Sequence, residues 1–194
     1  MQPDMDYFYD LKIPKERVAV LIGKDGEIKK QIEKETHARI VIDSKEGDVR
    51  VIGREPVGLL SAREIIKAIG RGFNPEFAML LLKQDYCLEI INISDTAGKS
   101  KKKLMRIRGR IIGEDGKSRK TIEDLTETSI SVYGKTVSII GKHLNADLAR
   151  KAVESLISGA KHSAVYRRLE KKSKELKISA LDQDVFKETN DQNG

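Results

Sequence analysis

Two glycine-bounded tetrapeptides, Gly23-Lys24-Asp25-Gly26 and Gly113-Glu114-Asp115-Gly116, are the residues of this sequence whose types and spacing best suit a chemical task. The task is holding a phosphate. Paired glycines let the backbone turn tightly and offer amide N–H groups to an anion with no Cβ in the way, and a helix starting at the second glycine aims the positive end of its dipole at the same place. A bare Gly-x-x-G carries little weight, since with Gly at about 7% of residues roughly one chance match is expected in a chain of this length. The surroundings carry the weight. The stretch V-L-I-G-K-D-G-E-I-K-K-Q-I at 20–32 returns as R-I-I-G-E-D-G-K-S-R-K-T-I at 110–122, with Thr36 and Thr126 each thirteen residues past the first glycine. Strands then follow (Arg39 to Ile42, Ser129 to Val132), next Ile52-Gly53 and Ile140-Gly141, and finally an apolar helix. Self-similarity on this scale predicts two domains of one type.

Other chemistries fit poorly. Gly116-Lys117-Ser118 and Gly98-Lys99-Ser100 resemble the end of a nucleotide-binding P-loop, but the glycine required five positions earlier is Ile111 or Ile93. The histidines, His37, His143 and His162, are isolated, and one cysteine cannot complete a zinc site with them at usual spacing. Cys87 lies in the apolar run Tyr86 to Ile93 and reads as a strand residue; a single cysteine also excludes an internal disulfide. No nucleophile, base and orienter arrangement emerges, and pairs such as Asp124 and Glu127 lie on charge-rich helices. The expectation is a protein that is not an enzyme and needs no cofactor and no metal.

The elements that must position the loops follow from periodicity. Tyr9, Leu11 and Ile13 alternate with charged residues as a strand; Pro14 opens a short helix through Leu21; helix follows the loop; Ala38 to Asp43 and Val49 to Ile52 form a hairpin; and Pro56 to Ile69 is a helix with Leu59, Ala62, Ile66 and Ile69 on one stripe. Asn74-Pro75 starts a short apolar docking helix, too apolar for a loose tether. The second module repeats the order: strand Tyr86 to Ile93, polar loop Ser94 to Ser100, loop helices, hairpin around Tyr133-Gly134, and a helix capped by Asn145 that ends at Ser158. An amphipathic helix at roughly Ala164 to Leu176 is followed by a polar, flexible tail. The expected division is 1–72, a linker at 73–85, 86–160, a C-terminal helix at 161–180 and the tail at 181–194.

Charge points to a polyanion. The 194 residues carry 37 Lys and Arg against 30 Asp and Glu, a net charge of +7. The excess peaks between Lys101 and Lys120, where nine cations (Lys101, Lys102, Lys103, Arg106, Arg108, Arg110, Lys117, Arg119, Lys120) meet two acids, Glu114 and Asp115. No apolar run reaches the eighteen residues of a membrane span, and the acidic start at Met1 to Asp10 lacks the pattern of a signal peptide, so the chain reads as cytoplasmic.

The element order and the paired I-G-x-x-G loops resemble type I KH domains, an α+β fold that clamps four nucleotides of single-stranded nucleic acid on its GXXG loop. More narrowly, Gly109 to Lys117, Ile122-Glu123 and Val132-Tyr133-Gly134-Lys135-Thr136-Val137 resemble the archaeal members of the Dim-two or partner-of-Nob family of small-subunit rRNA processing factors. The resemblance implies non-catalytic binding near the 3′ end of small-subunit rRNA, with the Nob endonuclease and the alpha subunit of initiation factor two as partners. It places RNA at Leu21, Ile22, Gly23, Lys24, Asp25, Gly26, Ile28, Lys29, Lys30, Arg39 and Ile40 in the first module. In the second it places RNA at Arg106, Arg108, Arg110, Ile112, Gly113, Gly116, Lys117, Arg119, Lys120 and Ile130, with Ile111 and Ile122 in the same apolar floor. Two departures stand out. Glu114 and Asp115 put two carboxylates where phosphate would lie, which suggests the alternative of an adaptor whose grooves dock a basic protein. Aromatic residues make up 5% of the chain and none is expected in the grooves, so base stacking on a ring is not expected.

Overall fold

The computed structural model describes residues 6–191, with side chains through residue 179. The first module runs β1 (Tyr7–Lys12), α1 (Lys15–Ile22), a single 3-10 turn at Lys24–Gly26, α2 (Glu27–Thr36), β2 (Arg39–Asp43), β3 (Asp48–Gly53) and α3 (Pro56–Gly70). A link of α4 (Pro75–Ala78) and a 3-10 turn (Met79–Leu82) leads to β4 (Tyr86–Asn92) and a one-turn α5 (Ser94–Ala97). The second module continues with α6 (Lys101–Ile112), a 3-10 turn at Glu114–Gly116, α7 (Lys117–Thr126), β5 (Ser129–Tyr133), β6 (Thr136–Lys142), α8 (His143–Ile157) and α9 (His162–Asp191). Each module has a three-stranded antiparallel sheet with the third strand in the middle, in the orders β1-β3-β2 and β4-β6-β5. The pleat sends alternate residues inward. Ile40, Val49 and Val51 thus meet Leu21, Ile32, Leu59, Ile66 and Ile69 of the helices, while Ile130, Val137 and Ile139 meet Ile111, Ile122, Ala149, Val153 and Leu156, all buried.

An arginine locks the loop helices to the last helix in each module. Arg17 donates to the carbonyls of Ile69 (2.8 Å) and Phe73 (2.5 Å), and Arg110 to those of Leu156 (3.1 Å) and Ala160 (2.5 Å). The end of a helix leaves carbonyls without intrahelical partners, and each guanidinium satisfies one of them, together with a carbonyl of the segment that follows, by charge-assisted bonds.

Several boundaries depart from the sequence reading. Asn145 is no cap: β6 passes directly into α8, whose His143 N–H bonds the Asp85 carbonyl at 3.1 Å, so Asn145 falls inside the first turn. The loop expected at Ser94 to Ser100 contains α5, set by the Ser94 N–H bonding Asn92 Oδ1 at 3.0 Å and by the burial of Ala97. Helix α9 extends to Asp191 rather than ending near residue 180, because no Gly or Pro interrupts the sequence between residues 161 and 193. The expected tail is therefore helical in backbone to residue 191, and its last three residues lie outside those described. Val165 and Leu169 of α9 belong to the second core, so that core crosses the boundary expected at residue 160.

The two modules share a seam. Every residue of β6 from Thr136 to Gly141 is buried, including those facing away from its own core, because the link after the first module covers that outer face. Ile140 joins Ala78 and Leu81 in the first core, with Tyr86 and Leu88 packed alongside. At the edge, Ser131 Oγ donates to the Arg71 carbonyl at 2.8 Å, and the Tyr133 hydroxyl donates to the Glu16 carboxylate, a bond that holds this carboxyl below its usual range. Gly72 sits there at φ 98°, where a Cβ would come within 2.7 Å of Ser131 Oγ and 3.0 Å of Tyr133 Cβ. Gly72→Val should therefore cost about 1–3 kcal/mol of stability from overpacking alone, with backbone strain added. An unchanged urea midpoint for that variant would contradict the seam described.

Candidate nucleic-acid interface

The two loops are conformational copies. Gly23 has φ 73° and ψ 179°, Asp25 φ 52°, Gly26 φ 77°; Gly113 has φ 75° and ψ 179°, Asp115 φ 51°, Gly116 φ 77°. The glycines are not equivalent within a loop. A Cβ on Gly23 would meet Ile28 Cγ1 at 2.5 Å and one on Gly113 would meet Ser118 N at 2.7 Å, so these two are fixed by packing as well as by φ. At Gly26 the nearest atom would be Lys30 Cε at 3.7 Å, and at Gly116 nothing lies within 4 Å, so the surface that an anion would approach is open there. Helices α2 and α7 start directly at these glycines with their N–H groups toward the turn.

Across each groove stands the edge strand, β2 or β5, tethered by a glutamate. Glu33 Oε1 accepts the Ile40 N–H and Glu123 Oε1 accepts the Ile130 N–H, both at 2.6 Å. A cation one turn earlier faces each carboxylate: Lys29 Nζ lies 3.8 Å from Glu33 and Arg119 Nε 3.6 Å from Glu123 Oε2. Burial pushes the Glu123 carboxyl above its usual range, opposed by the Ile130 N–H and Arg119. The arrangement combines an anion cradle, a narrow floor and an edge of hydrogen-bonding groups, which suits a single nucleic-acid strand with its phosphates on the loop and its bases on the strand side. Among the described residues, no group of three or more His, Cys, Asp or Glu is placed to hold a metal ion, and no helix is long and apolar enough to cross a membrane.

Known proteins share this fold. Residues 87–174 match a family model described as eukaryotic type KH-domain (KH-domain type I), and residues 9–68 match the KH domain model. A KH domain-containing protein of Methanocaldococcus jannaschii is 47% identical over 171 residues, covering 86% of this chain and 74% of its own length. In the solved a/eIF2alpha–aDim2p–rRNA complex of Pyrococcus horikoshii, a chain 45% identical superposes with a TM-score of 0.82, covering 90% of this chain and 98% of that one. The chain belongs to the Dim2/PNO1 family of KH-domain proteins. A relative from Chaetomium thermophilum, named pre-rRNA-processing protein PNO1, is 34% identical over 110 residues, and the match spans 42% of its length.

Within this Dim2/PNO1 chain the residues expected to meet RNA fall into three groups. Gly23, Lys24, Asp25 and Gly26, and likewise Gly113 and Gly116, lie in the two turns, with Ile22, Ile28 and Ile112 half-buried beside them. Lys30, Lys117, Arg119, Lys120 and Arg106 are exposed, Lys29 and Arg108 are half-buried, and Lys30 Nζ reaches the Asp25 carbonyl at 3.2 Å. The remaining residues stand elsewhere. Leu21, Ile40, Ile111 and Ile122 are sealed in the cores, where they support the floor without lining it, and Ile130 is buried at the border of a cleft at the seam. Arg110 spends its guanidinium on the α8 terminus, as described above. Arg39 alternates with Ile40 to the outer face of the sheet, in a cleft with Asp6, His37 and Ile52.

Two features of the interface escaped the sequence reading. One is the pair Glu33 and Glu123, each seven residues before the isoleucine it tethers; that equal offset in the two copies of the repeat was a signal available in the sequence. The other is Phe77, a residue 39% exposed that lines the cleft at the seam beside the second groove, so an aromatic ring does stand at a groove. No local pattern could reveal it, because the link brings it there by folding back across the second sheet.

Proposed function

We propose that this chain binds single-stranded RNA without catalysis through its two KH grooves, and that it acts near the 3′ end of small-subunit rRNA during processing or assembly of the subunit. The observation that carries the reading is the duplicated glycine turn, identical in backbone conformation in both modules and opening onto a helix N-terminus beside exposed cations. The family relatives point the same way, one named for pre-rRNA processing and another solved in complex with rRNA and a/eIF2alpha. The proposed partners are accordingly small-subunit rRNA, the alpha subunit of initiation factor two and the Nob endonuclease, with the cytoplasm as the site of action. The phosphate contacts fall to Gly26, Lys30, Gly116, Lys117 and Lys120, and the half-buried Ile22, Ile28 and Ile112 meet the bases.

Glu114 and Asp115, both exposed in the second turn, favour one rival, a groove that docks a basic protein. Exchanging both for Lys separates the two. Under the RNA reading the carboxylates repel phosphate, so the exchange should tighten RNA binding by roughly tenfold at low salt, with the gain shrinking as salt rises. Under the docking reading RNA affinity stays unchanged and the contact with the basic partner is lost.

A further inference from the structure

The second groove does not end at its own module. On the β5 side it opens into a cleft of about 450 Å³ whose walls come from both modules: Phe73 and Phe77 from the first module and link, and Arg119, Glu123, Ile130 and Ser131 from the second. We propose that this seam cleft is a nucleobase pocket, which takes one base beyond those held over the Gly113–Gly116 loop and selects a base carrying an exocyclic amino group. The proposal rests on the RNA-binding reading above and adds a site that exists only where the two modules meet.

Three observations carry it. The first is a stacking surface: Phe73 is buried, whereas Phe77, four residues on, is 39% exposed and lines the cleft. An exposed ring beside a basic groove is the usual platform for an unpaired base. The second is a positioned acceptor. Glu123 is fixed by the Ile130 N–H at 2.6 Å through Oε1 and by Arg119 at 3.6 Å from Oε2, and a carboxylate with about four lone-pair sites retains acceptor capacity toward the cleft. Adenine, cytosine and guanine each present an amino group to such an acceptor. Uracil offers an N–H flanked by two carbonyl oxygens, which the carboxylate repels.

The third observation concerns what the cleft cannot take. A peptide strand adding to the β5 edge needs a continuous ladder of free backbone groups. Here the Ile130 N–H is already held by Glu123, and the Arg71–Gly72 turn closes the edge at Ser131, whose hydroxyl bonds the Arg71 carbonyl at 2.8 Å. The space left is short and has one apolar face and one acceptor wall. A planar base, stacked on the ring and hydrogen-bonded at its edge, suits that chemistry.

The test uses the intact chain and labelled eight-nucleotide oligo(A), oligo(C) and oligo(U), read by fluorescence anisotropy. Phe77→Leu keeps apolar bulk and removes the ring; it should weaken oligo(A) and oligo(C) by about fivefold or more, the lower end of what one lost stacked base costs, and oligo(U) less. Glu123→Gln retains an acceptor for the Ile130 N–H and adds a donor, so it should narrow or reverse the preference for oligo(A) and oligo(C) over oligo(U). Wild-type affinity and preference in both variants, with loss of binding in Gly116→Asp, would overturn the pocket and leave the groove standing. Retained binding in Gly116→Asp as well would overturn the groove reading itself. Crosslinking of the unaltered chain to a degenerate eight-nucleotide RNA carrying one 8-azidoadenosine, a photoreactive base that keeps its exocyclic amino group, needs no mutant. The pocket predicts adducts within residues 72–77, and adducts confined to 113–120 would contradict it.

Discussion

Gly26→Asp combined with Gly116→Asp should lower the affinity for single-stranded RNA by on the order of 10², while the unfolding midpoint stays close to that of the unaltered protein. The positions are chosen for what an added side chain would meet. At Gly116 nothing lies within 4 Å of a new Cβ and at Gly26 only the tip of Lys30 does, and a φ of 77° is among the conformations that Asp tolerates better than most residues. The added atoms therefore fall where phosphate must approach, and each brings a negative charge to within a few ångströms of it. The same exchange at Gly23 or Gly113 would drive a Cβ into Ile28 or Ser118, and loss of binding there would be confounded with loss of fold. The two single variants rank the modules, and both should lose affinity if both grooves hold RNA.

Raising salt from 50 to 200 mM should weaken binding by on the order of 10³ if both loops engage. With about four nucleotides per loop and a log–log slope of ~0.7 per neutralised phosphate in single strands, two loops give a slope near 5.6 and one loop near 2.8. The corresponding losses over a fourfold rise in salt are roughly 2,000-fold and 50-fold. The slope thus counts working grooves in the intact chain, where the shared seam makes separate halves a poor test: cutting between them would strip the cover from Ile140 and the outer face of β6.

How much of this was legible in the sequence follows from where each determinant lies. The fold could be read because its determinants are local and duplicated: the glycine turns, the alternation along Tyr9 to Ile13 and Ala38 to Asp43, and the stripe Leu59, Ala62, Ile66 and Ile69 each announce an element within a dozen residues. The loops were legible for the same reason. Arg110 was not, since a basic residue three positions before a phosphate loop and a basic residue capping a helix nearly fifty residues later look alike in sequence. The apolar floor was overcounted because periodicity marks which face is apolar without saying how deep it lies; Ile22 and Ile112 are half-buried, whereas their neighbours Leu21 and Ile111 are sealed. The seam, with Ser131, Tyr133 and Phe77 gathered around Gly72, depends on the relative placement of two modules and leaves no periodic trace.

The most direct test of RNA binding through these grooves is an equilibrium titration of the intact chain, at moderate salt, with a short single-stranded RNA from the 3′ end of small-subunit rRNA. The same RNA annealed to its complement serves as the competitor. The grooves predict saturable binding of the single strand that the duplex competes for weakly, since paired bases cannot be laid along β2 or β5. Failure of the single strand to saturate, or equal binding of the duplex, would contradict the account.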